Sequence, residues 1–194
     1  MARDRGLELI GFEELQDILD PAKFTTRIKR HVKRATSKNA LVGVGMIKRA
    51  IDSGKFASNK PMTSAIKGSS RPLVDSGQLK LAITKQVKTW YLANIGVIRS
   101  KTVTDAQGRS EDVLSIAKVL HEGATIAVTP KMRRYFALMS RKFPDQWFPL
   151  KADTTSITIP PRPFLLAAIS DKAALIYQTN WAAAVQKALN GDDK

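Results

Sequence analysis

The strongest constraint on the fold is a long basic segment near the start of the chain. Nine of the 32 Lys and Arg residues lie between Pro21 and Ile51, and no Asp or Glu lies among them. Apolar residues recur there at helical spacing, with Asn39 at a gap, and the stripe comprises Ile28, Val32, Ala35, Val42, Met46 and Ala50. The pattern predicts a long helix over 23–51. Gly43 and Gly45 weaken its middle by about 1 kcal/mol each relative to Ala, and they mark either a bend or a close helix contact.

The charge of this helix limits where it can lie. Like charges at these spacings repel one another, so the basic face either stays solvated or docks on an anionic surface, and both interpretations remain open. We expect the anionic contact at Arg27, Arg30, Lys33 and Arg34. The net charge of +15 supports an anionic partner, and it leaves nucleic acid, an acidic protein surface and a membrane surface as alternatives.

Catalytic and metal-binding signatures are missing from the sequence. The chain of 194 residues has no Cys, which excludes disulfides, a thiol nucleophile and a Cys-ligated zinc site. Its two histidines, His31 and His121, are far apart, and His121-Glu122 lacks the second His of a zinc-binding H-E-x-x-H motif. Neither a G-x-S-x-G nucleophile turn nor a phosphate-binding or dinucleotide-binding glycine motif occurs. We therefore expect no enzyme activity, no cofactor and no metal.

No segment of the chain has the composition of a membrane span. A transmembrane helix requires about 20 consecutive apolar residues, and no stretch approaches this length. The first residues, Met1 to Arg5, are not followed by the apolar core of a secretory signal. These features predict a protein that makes no membrane contact and is produced in the cytoplasm.

The order of predicted elements indicates an α+β fold, with an antiparallel β-sheet packed against helices and a C-terminal helix. Three regions divide the chain: a basic helical N-terminal extension over 1–55, a flexible loop over 56–72 and an α+β domain over 73–194. The extension also contains a short predicted helix over 8–20. In the domain we predict strands at 83–90, 94–99, 125–129 and 156–159, and helices through Leu79, over 113–121, from Pro130 and at the C-terminus. The stripe of the last helix comprises Ala174, Tyr177, Trp181, Val185 and Leu189.

Three short motifs follow one another along the domain. The first runs from Leu73 to Ile83 and contains Asp75, Ser76, Gly77 and Leu79. The second runs from Ala117 to Gly123 and contains His121, and the third runs from Ile159 to Leu165 and contains Arg162, Pro163 and Phe164. In this order and spacing they resemble the tailed-bacteriophage virion morphogenesis and tail-completion family, which includes tail terminator and neck proteins. The resemblance covers about half of the chain, from Leu73 to roughly Asp171.

The resemblance implies a structural role at the joint between a phage head and its tail. Proteins of this kind form a ring, typically a hexamer, that completes the tail or neck and connects the tail tube to the head connector. The implied partners are other copies of the chain, adjacent neck or head-closure proteins, and tail-tube proteins. Non-specific contact with genomic DNA passing through the lumen is also implied. The chain would then be a virion component that is assembled in the host cytoplasm.

Individual motif residues carry local predictions. Asp75 or Ser76 is expected to cap the short helix through Leu79, and Gly123 is expected to end the helix over 113–121. Phe164 is expected to anchor the last helix in the core. Arg162, held between two prolines, is either an ion-pair donor between subunits or a solvent-exposed side chain, and the sequence does not decide between the two.

The alternative function is non-specific nucleic-acid binding through the basic helix 23–49. Phe24 is the one aromatic residue inside that run, so stacking on single-stranded bases has little support from the sequence. We therefore expect the basic helix to meet an acidic protein neighbour rather than DNA, because a cationic lumen would retain DNA and oppose its passage. A hydrolase with an unrecognised site is a third and weaker alternative.

Overall fold

The computed structural model describes residues 20–60, 63–64, 71–73, 77–97, 102–104, 110–142, 144 and 149–191. The fold is α+β, with a long helix near the N-terminus, small antiparallel sheets and a long C-terminal helix, and this confirms the predicted class. The short helix predicted over 8–20 lies outside the described residues except at Asp20.

Helix α1 spans Pro21–Asp52 and has 32 residues. Pro21 is the first residue of the helix, where a backbone N–H would have no hydrogen-bond partner within the helix. Proline, which lacks this N–H, therefore loses no helical hydrogen bond there. Asp20 caps the helix, because its Oδ1 accepts bonds from the backbone N–H of Ala22 at 2.8 Å and of Lys23 at 3.2 Å. The bond from Lys23, followed by the bond from Ala22, holds the pKa of the Asp20 carboxyl below its usual value, because both favour the charged form.

The buried face of α1 differs from the predicted stripe. In its C-terminal half the fully buried apolar residues are Val44, Ile47 and Ile51, whereas Val42, Met46 and Ala50 are only half-buried. The predicted stripe left Asn39 out because its side chain is polar. In the structure, however, Asn39 is buried together with Thr36. The face is therefore set by hydrogen-bonded polar residues as well as by apolar ones.

Helix α5 spans Asp171–Leu189 and packs antiparallel against α1. Asn39 Nδ2 donates to the backbone carbonyl of Tyr177 at 3.1 Å, and Asn180 Nδ2 donates to Asn39 Oδ1 at 2.7 Å. The fully buried residues of α5 are alanines, namely Ala173, Ala184 and Ala188.

The predicted stripe of α5 is therefore mostly wrong. Tyr177 is half-buried, but Ala174, Trp181, Val185 and Leu189 are exposed. The physical reason is the close approach to α1, since alanine lets two helices pack tightly and larger apolar side chains are turned outward.

Short elements connect the two long helices. Three antiparallel ladders pair β1 with β2, β3 with β4, and β5 with β6 in the described part of the chain. The elements are α2 (Gln78–Ala82), β1 (Ile83–Val87), β2 (Ala93–Val97), β3 (Thr102–Thr104), β4 (Ser110–Asp112), α3 (Val113–Glu122), β5 (Ala124–Ala127), α4 (Pro130–Lys142), β6 (Ser156–Ile159) and a 3-10 helix (Phe164–Ile169).

The bounds of β2, α3 and β5 lie close to their predictions and β6 matches its prediction in full, whereas β3, β4 and the 3-10 helix lie where no strand or helix was predicted. Strand β1 is shorter than predicted because its last residues form the turn of a hairpin. The backbone N–H groups of Lys88 and Thr89 both donate to the carbonyl of Leu92, at 2.9 Å and 3.1 Å. The segment 88–92 therefore reverses the chain instead of extending the strand.

One hydrophobic core joins α1 to the α+β elements. Its buried members come from α1, α2, β1, α3 and the 3-10 helix, and they include Val44, Ile47, Ile51, Leu79, Ile83, Val113, Ala117, Phe164 and Ala168. Phe56 also packs against this cluster at the start of the predicted loop 56–72. The predicted region boundary at residue 55 therefore does not divide the core.

Gly43 lies where three elements meet. A Cβ atom at Gly43 would lie 2.6 Å from Ile95 Cδ1 and 2.7 Å from the Tyr177 hydroxyl oxygen. The tyrosine cannot move away freely, because its hydroxyl donates to the carbonyl of Ala168 at 2.8 Å. A Cβ at Gly45 would meet only the far end of Arg49, at 3.9 Å. The sequence left a bend and a close helix contact open for these glycines. The structure shows that Gly43 lies at a close contact.

The two glycines give a matched pair of stability variants. We expect Gly45→Ala to raise the free energy of unfolding by up to about 1 kcal/mol, because alanine favours the helix. We expect Gly43→Ala to lower it by up to about 2 kcal/mol, because overpacking of about 1–3 kcal/mol outweighs the same gain in helix propensity. Chemical denaturation measures both values, and an equal change in the two variants would contradict the close contact.

Candidate functional site

The second and third motifs meet at one place in the structure. The backbone N–H of Arg162 donates to the carbonyl of Leu120 at 2.9 Å. The ring of His121 lies edge-on to the ring of Phe164, with centroids 5.4 Å apart. Phe164 is fully buried, as predicted, and it belongs to the same core as Leu79 of the first motif. The motif residues thus form a structural junction between α3, β6 and the 3-10 helix.

Gly123 makes this junction possible. It follows the last residue of α3 with a φ of 79°, a conformation that favours glycine. A Cβ atom there would lie 2.9 Å from the Ile159 carbonyl oxygen and 3.0 Å from the Pro161 nitrogen, both of which are backbone atoms. The predicted helix end at Gly123 is confirmed, and the close approach of β6 explains why a larger residue does not fit.

The first motif is only partly described. Asp75 and Ser76 lie outside the described residues, while Gly77 holds the N-cap position of α2 with a φ of 77°. The predicted cap position is therefore displaced to Gly77, directly before Gln78. Leu79 is buried in the core, and Pro163 holds the N-cap position of the 3-10 helix.

Arg162 is not the solvent-exposed side chain that one of its two interpretations predicts. Its side chain is buried inside the chain, and the residue is 6% exposed. Its Nε donates to the carbonyl of Ala57 at 3.0 Å, and Nη2 donates to Asn59 Oδ1 at 3.4 Å. Asn59 in turn donates to the carbonyl of Arg71 at 2.9 Å. Burial lowers the pKa of the Arg162 guanidinium. Arg162 therefore holds part of the predicted loop 56–72 against the junction.

The predicted anionic contact on α1 needs one correction. Arg27 is buried, with 7% of its surface exposed, and so does not belong to the basic outer face. Arg27 lies in the N-terminal part of α1, where the buried face of the helix also includes His31 and Val32. Arg30, Lys33 and Arg34 are exposed, and they remain candidates for an anionic partner.

A cluster around Thr36 of α1 was not predicted from the sequence. The Thr36 hydroxyl donates to the backbone carbonyl of Trp90 at 3.0 Å and accepts from Trp181 Nε1 at 3.3 Å. The two tryptophans are 54 and 145 residues away in sequence, so no local pattern could have joined them. The unusual feature that could have pointed to them is the Trp90-Tyr91 pair inside a hairpin turn, where polar residues are the rule.

Two kinds of site do not occur among the described residues. No group of three or more His, Asp or Glu side chains lies close enough to hold a metal ion among them. No helix in this part of the chain is long and apolar enough to cross a membrane. What the geometry offers instead is a packed junction and surfaces suited to binding.

Gly123 and Gly77 give the first test of the junction. We expect Gly123→Ala to lower the free energy of unfolding by about 3 kcal/mol, because a strained φ adds about 1–3 kcal/mol and the Cβ also meets backbone atoms. Gly77→Ala should cost only about 1–2 kcal/mol, because a Cβ there has no neighbour within 4 Å. Denaturant unfolding measures the difference, and equal losses would mean that β6 does not approach Gly123 closely.

Arg162 gives the second test. We expect Arg162→Met to lower the free energy of unfolding by about 2–4 kcal/mol, because two hydrogen bonds from a charged group are lost. The matched control is Arg134→Met on α4, where the arginine is exposed and the change should stay within about 0.5 kcal/mol. Because the bonds lie within one chain, the loss in melting temperature should not depend on protein concentration. A concentration-dependent loss would instead support the predicted contact between subunits.

No protein-family model matches this chain, and neither a characterised protein nor a solved structure gives a match. The resemblance to tail-completion proteins therefore stays a prediction that rests on three motifs.

Proposed function

We propose that this protein is a structural subunit of an oligomeric assembly, and specifically of a ring at a phage head–tail joint. The observation that carries the proposal is a surface element whose helix has no buried residue in the described part of the chain. This element, here called the arm, consists of β5, α4 and β6.

Helix α4 of the arm buries none of its residues, although its sequence is amphipathic. Tyr135 and Leu138 are exposed on it, and Ile126 is exposed on the neighbouring strand β5. An exposed side chain of this size forgoes about 1.5–3 kcal/mol of burial free energy. A partner that covers α4 would recover that free energy.

The arm is nevertheless well connected internally. Arg133 donates to the carbonyl of Lys151 at 2.8 Å and to the carbonyl of Thr154 at 2.5 Å. The Thr129 hydroxyl accepts the backbone N–H of Met132 at 3.2 Å and caps α4. The apolar face of α4 is therefore held in place before any partner arrives, which reduces the entropy lost on association.

A second apolar surface lies on different elements. Leu166 and Ile169 of the 3-10 helix and Leu175 of α5 are all more than half exposed. A chain with two separate apolar surfaces can bind the first surface of one copy to the second surface of the next. Such head-to-tail contacts close into a ring when the rotation between neighbours allows it.

The assignment to a phage head–tail joint depends on the three motifs. Their residues lie at the junction of α3, β6 and the 3-10 helix. They would therefore hold the end of β6, which belongs to the arm, in place. Neighbouring genes test this finer assignment, and portal, head-closure and tail-tube genes beside this one are the expected result. A setting without any virion gene would remove the phage part of the proposal and leave the oligomer.

The oligomer itself is tested through Leu138, which is 65% exposed. We expect the purified chain to form a multimer at micromolar concentration and Leu138→Glu to shift it to the monomer, because a charge cannot be buried at an apolar contact. Light scattering after size-exclusion chromatography measures the mass. Far-ultraviolet circular dichroism should be unchanged, since Leu138 makes little contact within one chain.

Leu81→Glu is the matched control, because Leu81 is 63% exposed and lies on α2 instead of the arm. It should leave the multimer intact. The proposal is wrong if the unaltered chain is a monomer, or if Leu138→Glu and Leu81→Glu behave alike.

A further inference from the structure

A surface around Thr36 combines exposed aromatic rings with basic side chains. It is here called the Thr36 surface and consists of Lys29, Lys33, Trp90, Tyr91 and Trp181. Thr36 itself is buried. Its hydroxyl donates a hydrogen bond to the backbone carbonyl of Trp90 and accepts one from the indole N–H of Trp181. One side chain of α1 thus positions two tryptophans from distant parts of the sequence.

The rings of this surface are fixed but accessible. Trp90 and Trp181 are each more than a third exposed, and Tyr91 is 57% exposed. Trp90 and Tyr91 contact each other edge-on, with ring centroids 5.0 Å apart. The turn that carries them is closed by backbone bonds to Leu92 and by the Thr89 hydroxyl, which accepts the Leu92 N–H at 3.1 Å. These rings therefore need little ordering when a ligand arrives.

Basic side chains lie on the same side of α1. Lys33 and Lys29 precede Thr36 by three and seven residues, so both project from the helix face that carries Thr36. Both are exposed, as is Lys88 at the start of the hairpin turn. No acidic residue occurs in α1 before Asp52, so every charged side chain that the helix itself adds to this face is positive.

We propose that the Thr36 surface binds single-stranded nucleic acid, with bases stacked on the aromatic rings and phosphates near the lysines. Ring faces beside a cationic strip are the two features by which single strands are bound without sequence readout. An acidic peptide would use the lysines but would leave the rings unmatched, whereas a nucleotide uses both. The structure thus removes the objection that the basic helix lacks aromatic partners. The inference is independent of the proposed ring.

The test is fluorescence anisotropy on the full chain with a labelled oligothymidine of about 15 nucleotides, a length within the site sizes of such surfaces. We expect Tyr91→Ala to weaken binding at least about fivefold, because one stacked base contributes about that factor or more. Lys33→Gln should reduce the slope of log affinity against log salt by about 0.7, which is the contribution of one phosphate contact.

Two controls lie outside both proposed surfaces' working groups. Leu92→Ala removes an apolar but non-aromatic side chain that is 48% exposed in the same hairpin turn, and Lys118→Gln removes an exposed lysine on α3. Neither should change the affinity or the salt slope by a comparable amount. Tyr91 is 57% exposed and does not belong to the core cluster of the described residues, so Tyr91→Ala should keep the melting temperature of the unaltered chain.

Three results would overturn the inference. The first is equal weakening by Tyr91→Ala and Leu92→Ala, which would mean that the aromatic ring is not used to bind the oligonucleotide. The second is tighter binding of a duplex of the same length than of the single strand. The third is displacement of the oligonucleotide by polyglutamate as effectively as by unlabelled oligothymidine, which would assign the surface to an acidic protein. Failure of the ring would instead appear as a monomer in light scattering, so the two proposals fail separately.

Discussion

Close packing between α1 and α5 is the constraint on which the rest of the structure depends. The two helices can approach because α5 presents alanines and α1 presents Gly43, against which the Tyr177 ring and Ile95 lie. Asn39 satisfies backbone and side-chain groups of α5 across the contact. This arrangement fixes which face of α1 is buried, and it thereby places Val44, Ile47 and Ile51 in the common core.

The same packing explains why large apolar side chains remain on the surface. With alanines filling the contact between the helices, residues such as Leu175 and Leu189 are exposed. The arm adds further exposed apolar side chains on a helix that buries none of its residues. Groups of exposed apolar side chains such as these suit surfaces for partners. The two proposals, an oligomer and nucleic-acid binding, concern different parts of this surface.

The three motifs have a structural explanation that does not depend on any family. Gly123 lets β6 approach the end of α3, Arg162 ties the segment 57–59 to that place, and Phe164 fills the core below. Each is a residue whose replacement would disturb packing rather than chemistry. A resemblance based on these residues therefore indicates a shared local fold. The function is tested at the exposed surfaces.

The sequence by itself determined the class of fold, the strand β6, the start of a helix at Pro130 and the end of another at Gly123, whereas the long helix begins at Pro21 instead of the predicted Lys23. These features depend on backbone conformation and on hydrogen bonds between near neighbours, which local residue types control. Only the tertiary structure decided which side chains are buried. Arg27 and Arg162 lie inside although their neighbours in sequence are basic or proline-rich, and Trp90 and Trp181 meet at Thr36 across most of the chain. Burial and such contacts depend on groups far apart in sequence, and no local periodicity encodes them.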